Sequence, residues 1–315
     1  MLLCTAGLAA SSGSISLRSF EPYFIKADNL LAGESDYPVP VGMGAIRLRD
    51  SASTDPGRGV PASMIPASYV HPGLNTDYPG LRVLHLDPLV CIIDDFFSAD
   101  ECDAYKALAD HDRSLEHKQS GTFAGTSALR TSKTWFVRYQ DCPFFLAKAS
   151  SLLGKPIRSF EEPQLVRYLP GQQYRWHYDL IHPSLLEPYR DQRLATLLVY
   201  LDDVPTGGST AFRDLRGSSS DAAIGRQLEV QPKRGRALLF FPSKCDGEPD
   251  FRMLHAGLPA ADGTKRLAQL WLHAGPRYDP EVPRGTCQVE GAELAQRYAR
   301  SQGLVMPHHI HEVVS

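Results

Sequence analysis

The pattern of hydrophobic and polar positions along the chain changes between residues 80 and 89. Residues 1 to about 80 are rich in Gly, Pro, Ser and Asp and show no sustained period, which predicts irregular chain, either a loose arm or a wrapping on the later domain. The β-branched run "LVCIIDDFF" at 89–97 then predicts a buried strand. "SADE" follows, where Ser98 as N-cap and Glu101 form a capping box that predicts a helix through about Ala109.

Beyond that helix, strand patterns dominate. "KTWFVRY" at 133–139 alternates like a strand, and "FFLAKASSLL" at 144–153 has helical spacing. From there to about residue 273, short strand patterns follow one another with Gly and Pro turn signals between them. Such a series predicts a β-sandwich or barrel with the earlier helices on one face. "GAELAQRYARSQG" at 291–303 predicts a closing helix.

Charge and hydropathy exclude two classes of partner. The 315 residues carry a net charge of -3, so no strong positive field is available to hold a phosphate backbone, and nucleic acid is not expected as a partner. No apolar run approaches the roughly 18 residues that a membrane span needs. The chain is therefore expected to be soluble, with a small molecule or a peptide as its partner.

The cysteines and the first residues bear on the compartment. Six cysteines are scattered without a C-x-x-C pair, which argues against a structural zinc site and a dense disulfide framework, although one or two disulfides remain open. The start "MLLCTAGLAASSGSISLRSF" is compatible with the remnant of an organellar or secretory targeting peptide, but it lacks a charged n-region. The localisation is not determined by the sequence. Three histidines in the tail "PHHIHEVVS" are interpreted as a solvated terminus.

The stretch "RWHYDLIH" at 175–182 concentrates potential metal ligands. Alternation on a strand places residues two apart on one face, so His177 and Asp179 point the same way. His182 follows where the strand is predicted to have ended, so its side chain should diverge. The third ligand must then come from another strand, and His255 in "MLHAG" is the best candidate. Two histidines and one carboxylate are the ligand set of non-haem Fe(II) oxygenases, whereas the alternative is a core histidine bonded to a backbone carbonyl.

Ten residues after His255, Lys265 begins the strand pattern "KRLAQLWLH". A cation close to a two-histidine iron site inside an apolar barrel needs an anionic partner. A dicarboxylic cosubstrate provides one: the keto-acid end of 2-oxoglutarate would chelate iron while its distal carboxylate pairs with Lys265. Arg266 should face outward. The alternative for Lys265 is an ordinary surface lysine after the turn "ADGT".

Five blocks of the sequence resemble, in order, the catalytic domain of prolyl 4-hydroxylases, which are Fe(II)- and 2-oxoglutarate-dependent oxygenases with a double-stranded β-helix fold. The resemblance covers roughly residues 85–275 and does not extend to the first 80 residues. The blocks are "RTSKTWFV", "LVRYLPGQQYRWHYD", "QRLATLLVYLDDVPTGGSTAF", "VQPKRGRALLFF" and "MLHAGLPAADGTKRLAQLWLH".

The resemblance implies a mainly β (α+β) fold, a double-stranded β-helix (jelly roll) with flanking helices. The domain organisation that we expect has three parts. Residues 1–82 form an irregular N-terminal arm with a possible targeting remnant, residues 83–275 form the Fe(II)/2-oxoglutarate oxygenase domain, and residues 276–315 form a C-terminal extension with a short helix.

The resemblance also assigns roles to residues around the metal. His177, Asp179 and His255 become the iron ligands and the catalytic centre, and Lys265 becomes the partner of the distal carboxylate of 2-oxoglutarate. Other residues match positions of the cosubstrate pocket, although Tyr200 could equally be a core aromatic of the barrel. These cosubstrate residues are Tyr168, Tyr200 and Thr210.

Four further residues match positions that line the proline-binding groove of plant-type prolyl hydroxylases: Tyr174, Arg193, Trp271 and His273. The alternatives are structural, because Trp271 can simply pack in the core and Arg193 can cap a strand. The chain also departs from the family pattern, with Arg213-Asp214 after "GGSTAF" where proline is usual and with the insert "IHPSLLEPYRDQ". Loops near the barrel mouth set substrate choice in this class, so these departures concern the substrate more than the chemistry.

The resulting functional prediction is hydroxylation of proline in a peptide or protein, coupled to oxidative decarboxylation of 2-oxoglutarate. It requires Fe(II), 2-oxoglutarate, O₂ and ascorbate as reductant. The kept groove residues favour this substrate, whereas the altered loops favour an alternative, the hydroxylation or oxidative cyclisation of a small amino-acid-derived metabolite. A third hypothesis, a non-catalytic cupin-like binding protein, does not account for the complete ligand set or for Lys265.

Overall fold

A computed structural model of the chain describes residues 60–111, 117–118, 130–181, 192–216, 227–275 and 288–307. The predicted divergence of His182, the arm before residue 60 and the tail histidines lie outside the described residues. Within these ranges, no helix is both long and apolar enough to cross a lipid bilayer.

The predicted helices and strands appear in the expected order, and the structure adds three short strands, at 60–61, 81–85 and 117–118, that the sequence did not predict. The helices are α1 (Ala99–His111), α2 (Pro143–Leu153) and α3 (Gln288–Ser301). The strands are β1 (Val60–Pro61), β2 (Leu81–His85), β3 (Val90–Ile93), β4 (His117–Lys118), β5 (Lys133–Phe136), β6 (Gln164–Tyr168), β7 (Tyr174–His177), β8 (Arg193–Tyr200), β9 (Thr210–Arg216), β10 (Gln227–Val230), β11 (Ala237–Phe240), β12 (His255–Gly257) and β13 (Lys265–His273).

The strands form two antiparallel sheets. The larger sheet has the order β1-β2-β3-β11-β8-β13-β6-β5-β4, and the smaller has the order β10-β9-β12-β7. From β6 to β13 the chain alternates between the sheets, apart from the β9–β10 hairpin, which stays in the small one. This order of eight strands in two facing four-stranded layers is that of a double-stranded β-helix, so the predicted fold class is confirmed.

Alternation along β13 separates two hydrophobic cores. Leu267 faces inward, into a cluster that joins both sheets and includes Phe212 of the small sheet. Ala268 and Leu270 face outward, into a second cluster that the flanking helices cover. The inner core thus lies in the barrel, and the outer core fixes the large sheet to the helices.

The capping box of α1 is present as predicted. The Ser98 amide donates to Glu101 Oε2 (2.7 Å), and the Glu101 amide donates to Ser98 Oγ (3.1 Å). Glu101 also accepts bonds from Lys148 Nζ (2.6 Å) on α2 and from the Tyr298 hydroxyl (2.5 Å) on α3. One carboxylate therefore caps α1 and links all three helices.

Two predicted strands are shorter than expected. The strand predicted over 89–97 ends at Ile93, because the chain turns through Asp95, whose φ is 55°. The strand predicted over 133–139 ends at Phe136, before a 3-10 turn. The segment before β2 lies on the domain, with Ala62 and Leu74 buried in the outer core. Four cysteines are free thiols: Cys91, Cys102 and Cys142 are buried, and Cys245 is exposed.

Helix α3 is fixed to the domain by a close approach at Gly291. A Cβ atom at this position would lie 2.4 Å from Tyr139 Cβ and 2.8 Å from the Tyr139 carbonyl carbon. We predict that Gly291→Ala lowers the free energy of unfolding by about 1–3 kcal/mol, the usual cost of overpacking. The exposed Glu293→Ala on the same helix serves as control and should change it by less than about 0.5 kcal/mol. Chemical denaturation measures both, and equal stability of the two variants would contradict the close contact.

Candidate active site

Three candidate metal ligands meet where β7 pairs with β12. His177 ends β7, His255 begins β12, and the two are directly opposite in the antiparallel register. Asp179 follows β7, and its carboxylate oxygens lie 3.6 Å from His177 Nε2 and 3.6 Å from His255 Nε2. One ligand atom of each residue lies within 4.8 Å of the others. The predicted ligands therefore converge on one point.

Hydrogen bonds to the backbone and a hydroxyl orient these side chains. His177 Nδ1 is 2.7 Å from the Arg175 carbonyl, and His255 Nδ1 is 3.0 Å from the Met253 carbonyl, so both Nε2 atoms face Asp179. The Thr196 hydroxyl donates to Asp179 Oδ2 (2.8 Å). Outer contacts of this kind fix the tautomer and the ring orientation of metal-binding histidines.

The electrostatics of the cluster suit a divalent cation. Burial, reinforced by His255, lowers the pKa of His177 to about 3, so its imidazole is neutral. Burial acts to raise the pKa of Asp179, but the nearby His255, His177 and Arg193 outweigh it and hold the carboxyl below its usual range. Neutral imidazole nitrogens and one ionised carboxylate are the protonation states in which these groups bind metals.

Aromatic rings surround the histidines. Tyr174 stacks on His177 with ring centroids 3.5 Å apart, and Phe240 packs against His255 at 4.7 Å. Phe212, opposite His255 on the neighbouring strand β9, closes the side away from β7. The cluster therefore lies in a largely apolar wall, which limits the access of water.

Lys265 lies on the inner face of the barrel and is only 1 % exposed. Its Nζ has no hydrogen-bond partner among the described residues and lies 5.2 Å from the Tyr168 ring centroid and 5.9 Å from that of Tyr200. Burial lowers the pKa of Lys265 to about 7. A buried amino group without a counter-charge is costly, so this position is suited to an anionic ligand.

The predicted cosubstrate residues surround this lysine. Tyr168 is directly opposite Lys265 in the β6–β13 pairing. The Tyr200 hydroxyl donates to Thr210 Oγ1 (2.9 Å), which joins the large sheet to the small one. Burial raises the pKa of both tyrosines, so their hydroxyls are neutral donors. A cation, hydroxyl groups and the three-ligand cluster in one barrel fit 2-oxoglutarate and Fe(II).

Three of the four predicted substrate residues, Arg193, His273 and Trp271, belong to or contact a buried ion pair, whereas Tyr174 stacks on His177. Arg193 donates to both carboxylate oxygens of Glu161, at 2.7 and 3.0 Å, and also to the Asp179 carbonyl at 3.3 Å. His273 Nε2 lies 2.8 Å from Glu161 Oε1. The guanidinium of Arg193 also lies 3.5 Å above the ring centroid of Trp271. The structure thus brings three of the four residues together through Glu161, and their contact with substrate stays a prediction.

Sequence reasoning missed Glu161 and Arg130 as candidate site residues. Arg130 is 8 % exposed, donates to Ser132 Oγ and Thr134 Oγ1 (2.8 Å each), and lies 4.7 Å from the ring centroid of Tyr174. The polar alternation Arg130-x-Ser132-x-Thr134 in "RTSKTWFV" was a usable signal. Glu161 offered none, because its partners are remote in sequence.

Comparison with known proteins agrees with this geometry. Residues 163–273 match the model of the 2OG-Fe(II) oxygenase superfamily. The chain is 31 % identical over 228 residues to probable prolyl 4-hydroxylase 4 of Arabidopsis thaliana, covering 67 % of this chain and 76 % of that protein. It is 32 % identical over 202 residues to prolyl 4-hydroxylase 2 of the same plant, covering 59 % and 67 %.

A viral collagen prolyl hydroxylase from Paramecium Bursaria Chlorella virus-1, solved as a 2OG complex, is 28 % identical, with a TM-score of 0.45 over 59 % of this chain and 96 % of that one. The identity to the curated plant enzymes over most of their length, together with the superfamily match across the barrel, establishes the relationship. The chain is therefore an enzyme that belongs to the prolyl 4-hydroxylase family of 2-oxoglutarate- and Fe(II)-dependent oxygenases.

Proposed function

We propose that this enzyme hydroxylates proline residues in a peptide or protein. His177, Asp179 and His255 hold Fe(II), and Lys265 pairs with the distal carboxylate of 2-oxoglutarate. The observation that carries the proposal is the buried, unpartnered Nζ of Lys265 on the inner face of the barrel that also holds the ligand cluster. Ascorbate is the proposed reductant of the metal.

The residues of the chain bind and orient, while the metal and cosubstrate supply the oxidising chemistry for a C–H bond when they are bound. The backbone carbonyls behind His177 and His255 keep both Nε2 atoms directed at the metal position. Lys265 fixes the far end of the cosubstrate, and the rings of Tyr174 and Phe240 exclude water from the reacting groups.

The balance of charges beside the metal position favours a peptide substrate over a free amino acid. The positive charge of Arg193 is matched by the bidentate Glu161, so the pair can donate to neutral carbonyls without attracting a free carboxylate strongly. The guanidinium of Arg193 covers one face of the Trp271 ring, and the two planar groups together form a flat wall next to the metal position. These features agree with the names of the plant relatives, which are prolyl 4-hydroxylases.

A small amino-acid-derived substrate is the second candidate, and one observation favours it. Arg130 is buried near the metal position and has hydroxyl partners but no carboxylate partner among the described residues. A substrate with a free carboxylate would supply the missing negative charge. The two candidates differ in whether a proline-rich peptide or a free amino acid stimulates succinate release.

Removing any ligand of the proposed metal should abolish turnover. We expect His177→Ala, Asp179→Ala and His255→Ala each to lower succinate formation by more than about 100-fold, because even outer contacts of a metal site are worth about 10–100-fold. His182→Ala is the matched control and should keep most of the activity. Mn(II) binding by calorimetry should follow the same order. Full activity in the three variants, together with loss of activity in the control, would show that the metal ligands are assigned wrongly.

Lys265 should control the affinity for 2-oxoglutarate and its pH dependence. Lys265→Met keeps the stem but removes a charge-assisted bond of about 1.5–3 kcal/mol, so the dissociation constant should rise about 10- to 150-fold. Because the pKa of the unliganded lysine is about 7, the wild-type affinity should fall as the pH rises above 7 and the amine becomes neutral. The variant should lose this dependence.

The control for this lysine is Arg266→Met, because Arg266 faces outward and donates to Asp202 Oδ1 (2.9 Å). Calorimetric titration of the Mn(II)-loaded chain at several pH values measures both variants. An unchanged affinity in Lys265→Met would show that the cosubstrate pocket is elsewhere, whereas a matching loss in Arg266→Met would indicate a general defect in folding.

Arg193 should affect the turnover of the substrate that is hydroxylated, and it should not affect the slow decarboxylation of 2-oxoglutarate in the absence of that substrate. Arg193→Ala leaves Glu161 buried without its cation, so the double variant Arg193→Met/Glu161→Gln, which is neutral overall, is the matched comparison. In both variants, peptide-stimulated succinate release should fall at least about tenfold, because a hydrogen bond to a charged group contributes about that factor. Succinate release without peptide should persist. Proline-rich peptides should outcompete free proline in the wild type. The reverse order would favour the small-molecule substrate.

A further inference from the structure

Three cations lie side by side on the outer face of the large sheet and form a basic row. Lys133 on β5 is directly opposite Arg167 on β6, and Arg167 is directly opposite Arg266 on β13. The two arginines face outward because their chain neighbours Tyr168 and Lys265 face the barrel interior, and Lys133 shares their face through the pairing. Neighbouring strands are about 4.7–4.9 Å apart, and like charges directly opposite each other destabilise a sheet. The basic row therefore lowers the stability of the sheet that carries it.

Two members of the basic row have no acidic partner. Lys133 is exposed and Arg167 is half-buried, and neither forms an ion pair with a carboxylate of any residue that the structure describes. The Nε atom of Arg167 is buried and lacks a hydrogen-bond partner among the same residues. A cation that is partly removed from water and is not paired within the protein favours an anionic partner from outside.

One aromatic ring holds these two charges together. The guanidinium carbon of Arg167 lies 5.2 Å from the ring centroid of Trp135, and Lys133 Nζ lies 5.8 Å from the same centroid. Both distances are within the roughly 6 Å over which a ring attracts a cation. The ring therefore keeps the two cations at one point of the surface, although their mutual repulsion acts to separate them.

The acids beside the third member are shared between cations. Asp202 Oδ1 lies 2.9 Å from Arg266 Nη1 and 3.4 Å from Lys106 Nζ. A carboxylate oxygen of Asp103 lies 2.8 Å from Lys106 Nζ, and the other lies 2.8 Å from Arg234 Nη2. Each of these acids pairs with two cations, so the surface around the basic row is positive although the whole chain has a net charge of -3.

The chemistry of this surface fits carboxylates that are carried on a peptide. A guanidinium group binds a carboxylate through two parallel hydrogen bonds. A nucleic-acid backbone fits less well, because Asp103 and Asp202 interrupt the cations and would repel a continuous row of phosphates. The ring of Trp135 contacts two cations already, whereas a site for single-stranded nucleic acid presents rings on which bases stack.

We propose that the basic row, formed by Lys133, Arg167 and Arg266, is a docking surface for an acidic segment of a partner protein. The row is separate from the active site, because it lies on the outer face of the sheet whose inner face carries Lys265. The proposal does not depend on the proposed function, since docking at this surface requires neither the metal nor the cosubstrate.

Binding of charged probes to the full chain tests the docking surface. A fluorescein-labelled oligoglutamate peptide is titrated with the protein, and fluorescence anisotropy gives the dissociation constant. The peptide should bind the wild type at about 0.02 M salt and lose most of its affinity at about 0.3 M salt, because salt screens exposed charges. The double variant Lys133→Gln/Arg167→Gln should weaken binding about tenfold, since each exposed ion pair changes an affinity by a factor of about 2–5.

The matched control is Arg158→Gln/Lys244→Gln, which removes the same charge from exposed positions elsewhere on the surface and should bind the peptide like the wild type. Thermal unfolding identifies a double variant that fails to fold, and Lys133→Gln alone, at an exposed position, then tests the same surface. Absence of peptide binding, or equal binding by the two double variants, would overturn the proposal. Tighter binding of a single-stranded oligothymidylate of the same length would overturn it in favour of nucleic acid.

Discussion

The antiparallel pairing of β7 with β12 is the constraint on which the active site depends. It places His255 directly opposite His177, although 77 intervening positions separate them in the chain. The side chains of a strand alternate between faces, so a slip of one residue would turn His255 away from Asp179. Pairing of β12 with β9 on its other side, where His255 meets Phe212, holds this register.

The barrel interior carries charges of two kinds. Arg193 and Glu161 satisfy each other within the protein, and Arg193 also donates a hydrogen bond to the Asp179 carbonyl at 3.3 Å. Lys265 lies among aromatic rings with no such partner. An unsatisfied buried group lowers stability, and the proposed cosubstrate would supply the negative charge that Lys265 lacks. The buried charge of Lys265 thus lowers the stability of the fold at the position where the cosubstrate is proposed to bind.

Apolar packing in the outer core offsets the free-energy cost of burying Lys265. The same strands that present polar groups inward present apolar side chains outward, as Leu270 and Leu272 do on β13, and the helices cover them. Glu101 joins the three helices through one carboxylate, and Gly291 permits the close approach of α3 to the domain. The large sheet, which carries Lys265 and Arg193, is therefore packed against the helices on its outer side.

Local periodicity and chemistry in the sequence determined the capping box of α1, the strand-rich order of the domain, and the shared face of His177 and Asp179, because each depends on residues a few positions apart. The sequence, supported by the family resemblance, also selected His255 and Lys265, and the structure places His255 beside Asp179 and Lys265 on the inner face of the barrel. Only the tertiary structure decided that Glu161 balances Arg193 and that Tyr168 lies opposite Lys265. Those contacts join strands far apart in the chain, and no local pattern encodes which strands become neighbours.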